Sequence, residues 1–315
     1  MNLLKSNRFA PSGFPRAKSE PFGRRAQKNR DFSTRPTRAR LRYASLLLVL
    51  SFASLHAQDT ELLWRGTWSQ EAVADGIILR QGAFEGNLFD ANQYLCVLEV
   101  APGARFDIVP AEEHSLETTT AIAAKTGAVA AVNGSFFNMR APYGSVNYLR
   151  VDGVELAPNA RDGRRGRSIR QTGAVATSHG ALYVLKGDVL SRWELDIEAE
   201  DVVTTGPLLL IDGQAEPVAN DKFNTNRHPR TAVGRRADGT VLLVTADGRN
   251  AKAAGLSMLE LQQVMAALGC VDAINLDGGG STTMVVRGVV VNHPSDNKRF
   301  DALGERPVAN AIIVR

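Results

Sequence analysis

The chain has 315 residues, 44% of them hydrophobic and 22% charged, with two cysteines. That composition excludes a disordered, collagen-like or disulfide-scaffold protein and allows one large domain or two small ones. The formal charge of +4 is unevenly placed: residues 1–57 hold twelve Lys or Arg against two Asp or Glu, which leaves about −6 on residues 58–315. A basic balance confined to the leader gives no ground for a nucleic-acid partner.

Residues 1–57 read as a basic leader and signal peptide. A basic region runs to Arg42, an apolar core covers roughly Ala44 to Leu55, and Leu55-His56-Ala57 precedes Gln58 as a small-residue cleavage site. The core is about a dozen residues, short for a bilayer. The expectation is an exported protein (periplasmic, cell-surface or secreted) with a catalytic domain over 58–315 and no stable membrane span once the leader is gone.

Trp64, Trp68 and Ile77-Ile78-Leu79 suggest one or two edge strands. Gln93–Val100 and Arg105–Val109 read as strands around the turn Ala101-Pro102-Gly103. Ser115 is placed as the cap of a helix over about Leu116–Thr126, ended by Gly127. A short buried strand, Ala128–Asn133, leads into the loop Gly134-Ser135-Phe136-Phe137-Asn138. Asn147–Val151 and Val154–Leu156 form a hairpin across Asp152-Gly153. Arg161–Arg170 reads as a solvated Arg/Gly loop. Strands are expected at Thr172–Thr177, Ala181–Leu185, Trp193–Ile197, Leu208–Ile211, Thr231–Gly234 and Val241–Thr245. Ser257-Met258-Leu259-Glu260 is a capping box, and Met258, Leu261, Val264, Met265 and Leu268 form the core-facing stripe of its helix. After Gly269 come an apolar run to Asn275, the loop Asp277-Gly278-Gly279-Gly280-Ser281-Thr282, a hairpin at Arg287-Gly288 and a last strand over Ala311–Val314. The whole reads as α+β.

Two stretches align. Gly127–Asn133 matches Gly269–Asn275; a helix precedes each, and Gly-Ser, a glycine hairpin and a proline follow. The alignment implies two related helix–strand–loop–hairpin units that bring Asn133 and Asn275 to similar positions. Cys96 and Cys270 each sit in an apolar segment, and both a disulfide and two buried free thiols remain open.

Buried strands end in polar residues at four places, Asn133, Asp247, Asn275 and Asp277. Side chains distant in sequence converge at strand ends. Glycines beside a carboxylate let a backbone approach an oxygen-rich ligand and aim N–H groups at it. Arg230 heads a strand, and its planar fork suits phosphate; His228 is its neighbour. His114, His179 and His293 show no evident partners.

The motifs Ala131-Val132-Asn133-Gly134-Ser135-Phe136-Phe137, Arg230-Thr231-Ala232-Val233-Gly234, Thr245-Ala246-Asp247-Gly248-Arg249 and Asn275–Thr283 together resemble the phosphodiester glycosidase family, over about residues 90–315. The resemblance implies a domain built on a large mixed β-sheet with packed helices, and hydrolysis of a sugar-1-phosphodiester or phosphorylated glycan. In that chemistry Asp277 is expected as nucleophile or base and Asp247 as its catalytic partner. Arg230 and the N–H groups of Gly278–Ser281 would steady the phosphate. Asn133, Gly134, Asn275, Gly278, Gly279, Gly280, Ser281, Thr282 and His228 would bind substrate. No cofactor is required by the sequence. A divalent metal held by Asp247 and Asp277, cutting the P–O bond instead, stays open, as does a non-catalytic glycan-binding module.

Overall fold

The computed structural model describes residues 59–63, 65–159, 171–188 and 192–315. The leader, Trp64 and the Arg161–Arg170 loop lie outside the described residues.

The fold is mostly β. An eight-stranded sheet has the order β1-β2-β3-β16-β15-β17-β13-β14. It is formed by β1 (Trp68–Ala74), β2 (Ile77–Leu88), β3 (Ala91–Val100), β13 (Leu208–Ile211), β14 (Gln214–Ala215), β15 (Arg230–Arg236), β16 (Val241–Ala246) and β17 (Cys270–Asn275). A five-stranded sheet, β11-β10-β12-β8-β9, uses β8 (Leu149–Val151), β9 (Val154–Ala157), β10 (Gly173–Ser178), β11 (Ala181–Lys186) and β12 (Asp201–Thr205). The other, β19-β18-β5-β20-β4, uses β4 (Phe106–Pro110), β5 (Ala130–Asn133), β18 (Met284–Val286), β19 (Val289–Val290) and β20 (Asn310–Val314). A short ribbon pairs β6 (Phe137–Asn138) with β7 (Gly144–Ser145). The α+β class holds. The sheet ladders are antiparallel throughout, however, where a mixed large sheet was expected. Neighbouring strands of the large sheet are joined by tight turns or come from distant segments running in opposite directions, so no parallel crossover is needed.

The large sheet is covered on both faces. Cys96, Leu98, Val233 and Leu243 face a core shared with both five-stranded sheets. Leu95, Val97, Ala232 and Leu242 face the opposite way, onto the helix α3 (Met258–Ala267), against which the short α2 (Lys222–Thr225) packs. The outer face of the β5 sheet is closed by α1 (Thr119–Thr126), and that of the β10 sheet by Trp193. The Ser257–Glu260 capping box is present, and Met258, Leu261, Val264 and Met265 are the buried stripe of α3. Gly234 lets α3 sit close on β15, since a Cβ there would come within 2.6 Å of the Met265 methyl.

Three local expectations change. The cap of α1 is Thr118, whose hydroxyl accepts from Ala121 N–H; residue 117 instead pairs in extended form with Val308, so Ser115 lies before the helix. Trp193–Ile197 is not a strand: Trp193–Asp196 forms a 3-10 turn that lays the indole on Tyr148, Ala174 and Val202. Strand β12 went unread in the sequence. The hairpins at Asp152-Gly153 and Arg287-Gly288 share one turn conformation, with φ of 50° then 77° in both, as two-residue turns between twisted strands require. The two aligned units share the order helix, strand and glycine hairpin, but the ribbon β6–β7 has no counterpart in the second, and β5 and β17 enter different sheets.

Ser257→Ala removes one half of the α3 capping box and is expected to lower unfolding stability by about 1 kcal/mol, read from the urea midpoint at unchanged slope.

Candidate active site

Strand register assembles the site. Arg230 pairs with Ala246, and Ala232 with Asn275. The start of β15 and the ends of β16 and β17 therefore lie at one end of the large sheet. There the chain continues as Asp247-Gly248-Arg249 and as Asp277-Gly278-Gly279.

Asn133 locks this end to the neighbouring sheet. Its Nδ2 donates to the Asp277 carbonyl at 2.7 Å, and its Oδ1 accepts from the Thr231 hydroxyl at 2.7 Å and the Thr283 N–H at 3.1 Å. Asp277 N–H donates to the Gly134 carbonyl at 3.0 Å. Asn133 is wholly buried, so it holds the loop rather than a sugar. Gly134 is likewise committed: its N–H donates to the Asn310 carbonyl. The Asn275 amide donates to the Gly206 and Leu276 carbonyls, while its buried Oδ1 has no protein partner.

Three of the four donors expected of the glycine loop are used within the protein. Gly278 N–H donates to the Asp277 carboxylate, Gly279 N–H to the Pro229 carbonyl, and Ser281 and Thr282 N–H to the Gly278 and Gly279 carbonyls. These donors close the loop on itself. What the glycines permit is close approach: a Cβ on Gly279 would lie 2.9 Å from the Arg249 guanidinium, and one on Gly278 would lie 2.6 Å from the Pro229 carbonyl. The Ser281 and Thr282 hydroxyls are buried with no protein partner. Asp277 is half-buried at the loop's start.

Arg230 is 1% exposed, and among the described residues no carboxylate bonds it. Its guanidinium donates to the carbonyls of Leu256 (2.9 Å), Phe223 (2.7 Å) and Asn226 (3.1 Å), and lies 5.0 Å from the centre of the Phe223 ring. Burial, then the Arg249 charge, brings its pKa down to about 10. Arg249 is exposed and likewise has no acidic partner among the described residues. His228 sits beside both, and burial followed by the two arginines lowers its pKa.

The largest change concerns Asp247. It is 1% exposed. One oxygen accepts from Asn292 Nδ2 at 2.9 Å, and the other accepts from His293 N–H at 3.0 Å and meets His293 Nδ1 at 2.7 Å. A carboxylate so enclosed cannot attack substrate; it fixes an imidazole. The His293 ring is stacked on Phe300 at 3.7 Å, with Tyr94 edge-on at 4.7 Å. Asn292 also donates to the Thr282 carbonyl and accepts from Met284 N–H, so one side chain ties the Asp247–His293 pair to the Asp277 loop. Sequence reasoning passed over His293, Asn292 and Arg249 as site residues. Arg249 stood inside a recognised motif; nothing local marks His293 as the partner of a residue 46 positions earlier.

Asp247 is thus poorly placed as a metal ligand, and among the described residues no three His, Cys, Asp or Glu side chains gather as a metal site. Cys96 and Cys270 are free and buried. Burial raises both thiols, Cys270 to about 12.

A buried guanidinium with no carboxylate in hydrogen-bond reach among the described residues, and an imidazole held by a buried carboxylate, are arrangements common at functional sites. The chain belongs to the phosphodiester glycosidase family, which residues 126–315 match. It is 27% identical over 231 residues to bovine N-acetylglucosamine-1-phosphodiester alpha-N-acetylglucosaminidase, covering 68% of this chain and 41% of that protein. It is 40% identical over 70 residues to the SPbeta prophage-derived uncharacterized protein YomE of Bacillus subtilis, covering 22% of this chain and 11% of that protein. The chain spans less than half the length of these curated relatives. The zebrafish N-acetylglucosamine-1-phosphodiester alpha-N-acetylglucosaminidase catalytic domain, solved auto-inhibited by its pro-peptide, shares the fold with a TM-score of 0.59 at 17% identity, over 79% of this chain and 83% of that one.

Two outcomes are expected. Asn133→Ala strands a hydroxyl, an N–H and a carbonyl in the interior and costs about 2–4 kcal/mol in chemical denaturation. His228, followed by NMR of its ring protons, titrates below the ordinary imidazole range in the free protein. Inorganic phosphate moves it upward by neutralising the arginines. Because its folded pKa is the lower one, protonating His228 subtracts stability as pH falls below the unfolded value.

Proposed function

We propose that the chain is a hydrolase cleaving the sugar C1–O bond of a sugar-1-phosphodiester of the glycan or cell-envelope kind. The observation that carries this reading is Arg230: a desolvated guanidinium with no carboxylate. Family membership and the named activity of the bovine relative supply the sugar-1-phosphodiester.

Breaking the C1–O bond leaves positive charge at the anomeric carbon and negative charge on the departing phosphate monoester. Arg230 and Arg249 hold the phosphate and stabilise the charge it gains. The Asp277 carboxylate attacks the anomeric carbon or activates the water that does. Its backbone is fixed on both sides by Asn133 and Gly134, so the side chain is aimed without further ordering. His293 carries the proton to or from the reacting oxygens, while Asp247 acts as its positioning residue, holding the ring by Nδ1. The hydroxyls of Ser281 and Thr282 and the Asn275 oxygen, which lack protein partners, are the groups left to bind water or substrate oxygens. The chain's place outside the cytoplasm remains part of the proposal; no described helix is long and apolar enough to cross a membrane.

The test is incubation with an aryl diester of a sugar-1-phosphate. Free sugar and aryl phosphate are expected. Sugar phosphate and phenol would instead mean P–O cleavage, and binding without turnover would mean a glycan-binding module. Asp277→Asn should stay folded and lose about 10²–10⁴-fold in kcat. Asp247→Asn and His293→Gln should each slow turnover, and the double variant should be little worse than either alone, since the two residues act as a unit.

A further inference from the structure

The chain after His293 forms a loop, residues 295–306, that has no helix or strand yet is closed on itself. At its neck Asp296 N–H donates to the Gly304 carbonyl at 3.3 Å, and the Arg306 guanidinium donates to the Asp296 carboxylate, by Nε at 3.1 Å and by Nη2. At its tip the Asp301 carboxylate accepts from Asn297 Nδ2 at 2.7 Å and from Leu303 N–H at 2.9 Å. A surface loop closed in this way is a compact unit, of a kind often used at functional sites. This one touches both halves of the site. A Cβ on Gly280 would overlap Arg306 and Asp296, so the ion pair lies directly on the glycine loop that begins at Asp277. From the middle of the loop Phe300, half-buried, stacks on the His293 imidazole, with ring centres 3.7 Å apart and planes 12° apart. Glu305 anchors the far side: it accepts from the N–H and the hydroxyl of Thr120, each at 2.8 Å, in the first turn of α1.

What the stack adds is a plane. The contact of His293 Nδ1 with the Asp247 carboxylate at 2.7 Å fixes one atom of the imidazole. The last torsion of a histidine is broad, and a hydrogen bond tolerates a wide range of angles, so that contact alone sets the ring plane loosely. A ring face at 3.7 Å removes the remaining freedom, and Tyr94 backs both rings, edge-on at 4.7 Å to His293 and at 5.8 Å to Phe300. Among the described residues His293 Nε2 has no hydrogen-bond partner. It is the nitrogen free to meet a reacting oxygen, and its aim depends on the ring plane. We propose that Phe300 is a positioning residue: it sets the plane of His293 and so aims Nε2, while the Asp296–Arg306 pair ties that setting to the Asp277 loop. This role rests on the proton transfer proposed for His293.

The experiment compares Phe300→Leu with Phe300→Tyr in the full chain. Leu keeps the apolar bulk; Tyr keeps the stacked face. Two quantities are read: turnover of the aryl sugar-1-phosphate diester, and the proton NMR of the His293 ring in the free protein, assigned by its loss in His293→Gln. In the parent and in Phe300→Tyr the His293 ring protons are expected upfield, shielded by the stacked ring. In Phe300→Leu they should return toward ordinary imidazole positions. Phe300→Leu is expected to lose about tenfold or more in kcat at little-changed KM and melting temperature, with Phe300→Tyr close to the parent. Arg306→Gln opens the neck of the loop and should reduce the ring shift and kcat together. Unshifted His293 protons in the parent, a Phe300→Leu enzyme as fast as the parent, equal losses in Phe300→Leu and Phe300→Tyr, or an Arg306→Gln variant that changes neither quantity would overturn the proposal. If the parent releases no free sugar, the hydrolase reading fails, and the ring shifts alone decide whether Phe300 sets the imidazole.

Discussion

The carboxamide of Asn133 is the constraint on which this structure turns. It sits where the large sheet and the β5 sheet meet and satisfies one group from each of three segments: the Asp277 carbonyl, the Thr231 hydroxyl and the Thr283 N–H. Each would otherwise be a polar atom stranded in a dry interior, at a cost exceeding the gain from an average hydrogen bond. Because the segments come from β15, the glycine loop and the start of β18, the loop cannot move without breaking all three contacts. Placing Asp277 is thus a by-product of sheet packing, and the carboxylate inherits the rigidity of two sheets.

Arg230 shows the opposite economy. Burying a guanidinium with no acid costs stability, and its lowered pKa expresses that cost. Three carbonyls and the face of Phe223 recover part of it. A carboxylate would recover more, but it would also cancel the field an anionic substrate needs. The fold keeps carboxylates off the guanidinium: Asp247 is turned toward His293, Glu260 binds Arg227, and Asp221 caps the short helix whose carbonyl contacts Arg230. Strain of this kind, retained where a neutralising residue would stabilise, is expected at a site rather than in a scaffold.

The sequence shows the ends of the strands better than what the ends do. Asn133, Arg230, Asp247, Asn275 and Asp277 stand out because a polar residue closing an apolar run is a local signal, and antiparallel register then brings them together. The capped helix α3 is equally local. Partnership is not. Asp247 and His293 meet through the register of β16 and the exit from β19, which no window of sequence contains. Strands buried on both faces, such as β3 and β16, show no alternation, so two-sided cover cannot be read from hydrophobic pattern. Strand β12, Asp-Val-Val-Thr-Thr, is β-branched enough to be read but short, and its pairing partners β10 and β8 lie well back along the chain.

The glycines of the 277–281 loop make the same point in chemical form. Three glycines beside an aspartate suggest a nest of N–H groups around an anion, and glycine does permit that geometry. Here the donors of Gly278, Gly279 and Ser281 are spent within the protein, and the missing Cβ atoms admit a guanidinium at Gly279 and a backbone carbonyl at Gly278. In the proposed reaction, recognition of the anion passes from fixed backbone dipoles to whole charges on Arg230 and Arg249. Arg230 is buried and fixed, Arg249 exposed and able to move. In that proposal the corner would hold phosphate strongly on one side and let it go on the other. That suits an enzyme whose leaving group is itself a phosphate monoester, which must depart after the bond to the sugar is broken.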